Sequence, residues 1–198
     1  MPNTTHQPYI APFMGMAPEI DTSAFIAATA AIIGAVRIGK NSSIWHQVTV
    51  RGDNNYITIG EGTNIQDNSC VHIDSIKHPT IIGNFATIGH SAIIHACTIG
   101  DYAFVGMGGI VMDGAIIEDT GMLAAGGMLT AGKIIPSGEL WAGSPAKKMR
   151  DLTAKELAFN RRSAHHYIEV ARAHRLGDDG APFDNMHYRP LPLVNQSE

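Results

Sequence analysis

The hydrophobic pattern of this chain has a period of six. Ile20, Ile26, Ile32, Ile38, Ile44 and Val50 follow one another at six-residue steps without a break. After a nine-residue step the ladder continues through Ile59, Ile65 and Val71. A second gap precedes Ile82, Ile88 and Ile94, and a five-residue step leads to Ile99. Val105, Val111, Ile117, Leu123, Leu129, Ile135 and Trp141 complete it. An amphipathic helix needs apolar residues three and four apart, and a half-buried strand needs them two apart. A parallel β-helix accounts for six: each flat face sends one aliphatic side chain to the axis, and three faces close a coil of about eighteen residues. Small and polar residues between the ladder positions fall at the corners, where the backbone turns tightly. The predicted fold is therefore mainly β, a parallel β-helix of hexapeptide repeats. The surplus residues near Asp53–Tyr56 and the segment Asp74–Pro79 are expected to loop out of it.

Near Asp151 the period changes. Thr153 and Glu156 fit a capping box, and Leu157, Ala164, Ile168 and Ala171 share one helical face, with Gly177 as a stop. The expected organisation is a Pro-rich, irregular arm or lead-in strand over 1–19, a β-helix over 20–145, a helix over 151–177 packed on it, and an extended or disordered tail over 178–198.

Composition narrows the function. A chain of 198 residues with 44% apolar content has a real core and the size of one domain. The net charge of −4 and the lack of a basic block argue against a nucleic-acid partner. Cys70 and Cys97 are too few for a disulfide framework; both sit in apolar repeats and read as small buried hydrophobes in a reducing compartment. No signal-like or membrane-length apolar run is present, so the cytoplasm is the expected location and no membrane partner is expected.

The candidate chemistry lies in three histidines. His72 follows Val71 and His95 follows Ile94, so both occupy the position after a ladder residue. The 23 residues between them are one coil of about eighteen plus five, which the Asp74–Pro79 excursion absorbs. The two imidazoles are expected on neighbouring coils, about 4.8 Å apart, where they can share one metal. His90 follows Gly89, two positions after Ile88, and is expected to point elsewhere, leaving the third ligand to a second subunit. Taken singly, each is an ordinary hydrogen-bonded strand histidine, and spacing alone leaves both readings open. Three neutral imidazoles with an open position suit zinc, and also iron or cobalt. His6, His46, His78, His165, His166, His174 and His187 lack this register and read as surface or packing residues.

Arg51-Gly52-Asp53, the run Thr63–Asp67 (TNIQD), His72, the run Ile88–Ala92 (IGHSA) and His95 together resemble the gamma-class carbonic anhydrases, in particular their short-form bacterial members. The resemblance spans about residues 9–175 and includes the GSPAK turn at Gly143–Lys147. It implies a left-handed parallel β-helix with a C-terminal α-helix, assembled as a homotrimer. It implies a zinc site, with iron or cobalt as alternatives, formed by His72 and His95 of one subunit and His90 of the next. It implies CO2 hydration to bicarbonate, with Gln66 positioning the reacting solvent molecule and Arg51 and Asp53 as an ion pair near the boundary. Asp67 is either a corner residue or part of the site. Tyr167 stands where some members place an asparagine, and is expected in the wall of the site. Two departures concern the proton: Asn54 stands where the best-characterised members carry a glutamate, and the short segment Ile73–Pro79 replaces an acidic loop. Asp74 and His78 are the available substitutes.

Other classes share parts of this pattern. Hexapeptide acyltransferases use the same ladder with a histidine base and coenzyme A. Relatives tied to phenylacetate and carnitine metabolism suggest thioester hydrolysis or an accessory role. A non-catalytic subunit of a larger assembly would keep the scaffold without the activity.

Overall fold

The computed structural model of the chain describes residues 7–176. His6, His187 and the expected tail over 178–198 lie outside the described residues.

The strands stack into a parallel β-helix of about seven coils with three faces. The first face holds the strands Cys70–His72, Ile93–His95, Ile110–Val111 and Met128–Leu129. The second holds Thr80–Ile82, Thr98–Ile99, Ile116–Ile117 and Ile134–Ile135. Two long strands, Ala31–Ile38 and Thr49–Ile59, run across both faces and join them. The third face runs from Phe25–Ile26 through Ser43–Ile44, Asn64–Ile65, Thr87–Ile88, Phe104–Val105 and Met122–Leu123 to Glu139–Gly143. Backbone N–H groups of one coil donate to carbonyls of the next, which satisfies the buried main chain along the axis.

The ladder is the core. Every ladder side chain from Ile32 to Ile135 is at most 2% exposed. Burial of each contributes about 1.5–3 kcal/mol. Identical positions repeat coil after coil, so the core is a set of aliphatic columns.

The surplus at residues 53–56 appears where expected, as a bulge within the strand Thr49–Ile59: Gly34 pairs with Gly52 and Val36 with Ile57, so the four residues oppose Ala35 alone and pair with neither neighbouring coil. Gly34 makes this possible: its φ is +79°, and a Cβ there would collide with the Gly52 carbonyl. Within the lead-in, Tyr9–Ala11 forms a strand that pairs in parallel with Ala31, Ile32 and Ile33 and adds a further rung.

The helix Ala154–Leu176 covers the third face. Its start is the expected capping box: the Thr153 N–H donates to Glu156 at 2.8 Å, and the Glu156 N–H donates to the Thr153 hydroxyl at 3.3 Å. Ala164 and Ala171 are buried beneath it, as is Asn160, whose amide finds no protein partner among the described residues. Tyr167 packs edge-on against Trp45. No helix among the described residues is long and apolar enough to cross a membrane.

The first face is not covered by the helix. Thr49, Cys70, Ile93, Ile110 and Met128 form one outward row in strict register along it. Cys70 is therefore exposed, contrary to the expectation from its apolar neighbours. It stands one residue before Val71, and strand alternation turns it outward when Val71 turns in. Cys97 is buried as expected, and burial pushes its thiol up to about 12.

Candidate metal centre

The two edges of the first face carry the candidate histidines. His72 and His95 end their strands and sit in direct register on neighbouring coils. Their ring centroids are 5.3 Å apart, and His72 Nδ1 lies 3.3 Å from His95 Nε2. His90 precedes the strand Ile93–His95 and stands at the opposite edge. A turn at His90–Ser91 and the strand Ile93–His95 separate it from His95 along the chain. Among the described residues, no three His, Cys, Asp or Glu side chains of the chain converge on one point.

Each of the three histidines has one ring nitrogen against a carboxylate. His72 Nε2 lies 3.2 Å from Asp53, His95 Nδ1 lies 2.6 Å from Asp113, and His90 Nδ1 lies 2.9 Å from Asp67. Among the described residues no other histidine has such a partner. An ionised carboxylate only accepts, so in a neutral ring it fixes the proton on the facing nitrogen. The opposite nitrogen then presents a bare lone pair. For His72 and His95 these lone pairs face each other, with no proton between them. That arrangement is repulsive until a cation enters it. Two imidazoles at ~2.0–2.1 Å from one tetrahedral cation have nitrogens about 3.3 Å apart. The observed 3.3 Å matches, so the pair fits a divalent metal.

The remaining candidates separate by edge. Arg51 is the rung above His72 and pairs with Asp53, whose other oxygen meets His72. Burial works to raise the Asp53 carboxyl, but the His72 hydrogen bond and the Arg51 charge outweigh it and hold it below the usual range. Gln66, Asp67 and Tyr167 lie with His90 instead. Gln66 is 6% exposed and donates its amide to Asn64 at 3.0 Å, which leaves its carbonyl oxygen free. Burial, with the Asp67 carboxylate second, pushes the Tyr167 phenol above its ordinary value. Tyr167 thus belongs to the His90 edge and not to the His72–His95 pair of the same chain. Elsewhere His46 bonds the Thr29 hydroxyl at 3.0 Å, and His174 packs against Phe25 and Trp45, both outside this constellation.

Asp113 was not among the sequence candidates. The signal that reveals it is coil spacing: it follows His95 by 18 residues, as Asp53 precedes His72 by 19.

A cleft of about 370 Å³ opens beside Asp53 under the turn Phe13–Met16, and no Lys or Arg lines it.

No family model matches the chain. Gamma carbonic anhydrase 1, mitochondrial, of Arabidopsis thaliana is 49% identical over 80% of the chain, and the chain spans 59% of that relative's length. A carbonic anhydrase of Geobacillus kaustophilus is 42% identical over 84% of the chain and 91% of its own length. The crystal structure of a hexapeptide transferase family protein from Anaplasma phagocytophilum is 55% identical, covers 83% of this chain and 96% of its own, and superposes with a TM-score of 0.80. Agreement over 91% of the Geobacillus protein's length, the coiled scaffold and the order of the site residues lead to one assignment: the chain belongs to the gamma carbonic anhydrase family.

Proposed function

We propose that the protein is a homotrimeric, metal-dependent carbonic anhydrase that hydrates CO2 to bicarbonate. The observation that carries this reading is the carboxylate behind each of His72, His90 and His95, which leaves three bare imidazole nitrogens. Two are on one edge of the first face and one on the other. A cyclic threefold arrangement with the first face turned to the axis brings the His72–His95 edge of each subunit against the His90 edge of the next. The apolar row on that face, with Ile93 at 45% exposure, is buried by the same step.

His72 and His95 of one subunit and His90 of its neighbour would hold the cation. Their all-imidazole set suits zinc, with iron or cobalt as alternatives. A bound divalent cation supplies the Lewis acidity that lets a water molecule ionise near neutral pH. Asp53, Asp113 and Asp67 orient the rings and raise their basicity. The free Gln66 carbonyl oxygen accepts a hydrogen bond from the reacting water and aims it at the CO2 carbon. The Arg51–Asp53 pair keeps Asp53 ionised and in place. Tyr167 walls the site from the His90 side. A soluble, cytoplasmic setting is consistent with the lone thiols.

Acyl transfer from coenzyme A is the second reading; the Anaplasma relative is described as a transferase family protein. The cleft beside Asp53 offers no Lys or Arg to a nucleotide phosphate, which argues against it.

Mixed assembly of His90→Ala and His95→Ala chains tests the proposal. Each variant alone is expected to lack metal and CO2 hydration. Trimers containing both recover one complete site, because one neighbour pair joins an intact His72–His95 edge to an intact His90. Mixed trimers with no recovered metal or activity would overturn it. Metal-free parent protein that acetylates or hydrolyses a coenzyme A thioester would establish the second reading.

A further inference from the structure

The two ends of the solenoid are finished differently. The last coil closes with the strand Ala146–Asp151, whose exposed residues include Lys147, Lys148, Arg150 and Asp151. Stacked-repeat folds need such a polar end face to stay soluble. The first coil has no counterpart among the described residues. Its outermost strand on the first face, Tyr9–Ala11, pairs only with Ala31–Ile38, so its other edge is open among the described residues. Tyr9 and Ile10 are exposed there, and so are Phe13, Met14 and Met16 of the turn that follows, Met14 at 85%. The cleft beside Asp53 continues this surface between the turn and the bulge, with Tyr56 in its lining. An open strand edge flanked by apolar side chains is a template for another stretch of chain.

The helix runs back towards this end. Phe159 meets Phe104, Tyr167 meets Trp45 and His174 meets Phe25, with ring centroids 6.0, 5.8 and 5.7 Å apart. Arg175 then donates to the Thr22 carbonyl at 3.1 Å, so the helix ends beside the first coil. The sequence beyond it contains the run Phe183–Val194, FDNMHYRPLPLV. Six of its twelve residues are Phe, Met, Tyr, Leu or Val, and Asp184 and Arg189 balance in charge. Phe183 comes seven residues after Leu176. That is about 23 Å of extended chain, and one face of six residues spans about 20 Å. Arg189 is the cation of the run, and Asp53 is the charged residue of a cleft that no Lys or Arg lines. Residues 1–6, MPNTTH, also adjoin this end in sequence but have only Met1 and Pro2 to bury.

We propose that Phe183–Val194 caps the first coil of its own chain. Its apolar side chains cover Ile10 and enter the cleft between the turn Phe13–Met16 and the bulge, with Arg189 on the side of Asp53. The cap withdraws an edge that would otherwise join one assembly to another end to end. It stands whether or not the protein hydrates CO2.

The test is a brief pulse of hydrogen peroxide on the native full chain, read by peptide mass spectrometry. Met149, 63% exposed on the strand Ala146–Asp151, is the internal reference. Met14 and Met16 are expected to oxidise about tenfold more slowly than Met149, at the rate that local opening of the docked segment allows. Leu191→Asp combined with Leu193→Asp in the full chain should raise both to the Met149 rate. Buried Cys97 that stays unreactive to thiol reagents shows that the variant keeps its fold. Parent protein whose Met14 and Met16 oxidise as fast as Met149 overturns the proposal without any variant. Protection that survives the two substitutions also overturns it. If that protection falls on dilution, a second copy covers the end; if it does not, residues 1–6 or another partner cover it.

Discussion

His95 Nδ1 lies 2.6 Å from a carboxylate oxygen of Asp113, a residue on the next coil. The bond fixes which nitrogen of His95 faces His72. Main-chain bonds hold the corner: the Gly114 N–H donates to Ala96 and the Gly132 N–H to Asp113. Asp113→Asn is expected to fold normally and to bind metal about 10–100-fold more weakly. Competition against a chromophoric chelator measures this. Affinity equal to the parent's would show that the carboxylate does nothing for the metal.

Gln66 is held through its amide nitrogen. Its amide donates to Asn64, and Asn64 donates to the Ala86 carbonyl and the Thr87 hydroxyl. Its remaining oxygen is aimed without freedom to wander. Gln66→Ala should retain its metal and lose about a hundredfold in kcat. Stopped-flow indicator rates that match the parent would remove Gln66 from the chemistry.

Much of this was legible because a solenoid repeats one local requirement. Each buried aliphatic position from Ile32 to Ile135 is dictated by the same corner-to-corner length, so a period of six exposes the whole axis. The stacking of His72 on His95 followed from counting coils, and the structure puts the two in register. The capping box at Thr153 was also readable, since its two partners are three residues apart. What escaped was whatever depends on neighbours a coil away. The bulge at Asp53–Tyr56 was readable from the nine-residue step, but its accommodation by Gly34 on the adjacent coil was not. Asp113 has no motif around it; only its distance of one coil from His95 betrays it. Cys70 looked buried because its sequence neighbours are, whereas strand alternation turned it outward.

That outward cysteine reports on assembly. Cys70 lies mid-row on the first face, and Cys97 is enclosed in the core with its thiol pushed up to about 12. In the trimer proposed above, native protein should react with no thiol reagent, Cys70 being covered by neighbours. Dilution or mild denaturant that separates subunits should release one reactive thiol per chain before the fold is lost. Mass spectrometry after brief alkylation reads both states. Rapid labelling of Cys70 in the native assembly would place the first face outside the interface.

Acid should loosen the helix before the coils. The Arg150 guanidinium, followed by the Thr153 backbone and hydroxyl, holds the Glu156 carboxyl far below its ordinary value. A carboxylate depressed in the folded state stabilises fully above its unfolded pKa, about 4.3, and this contribution fades as pH falls towards the folded value. Glu156→Gln should therefore melt below the parent at pH 7, and the gap should close progressively in acid below about pH 4. A gap that stays constant from pH 7 to strong acid would assign the effect to packing.

The tether Asp74–Pro79 leaves the solenoid after one rung and rejoins it at Thr80 with the pairing of His95 on His72 undisturbed. Whatever hangs between those two anchor points can be lengthened, shortened or recoded while the coils alone keep the spacing of the two rings. Rim and rung are thereby separable: variation in the tether leaves the pairing of Ile93–His95 with Cys70–His72 as it is.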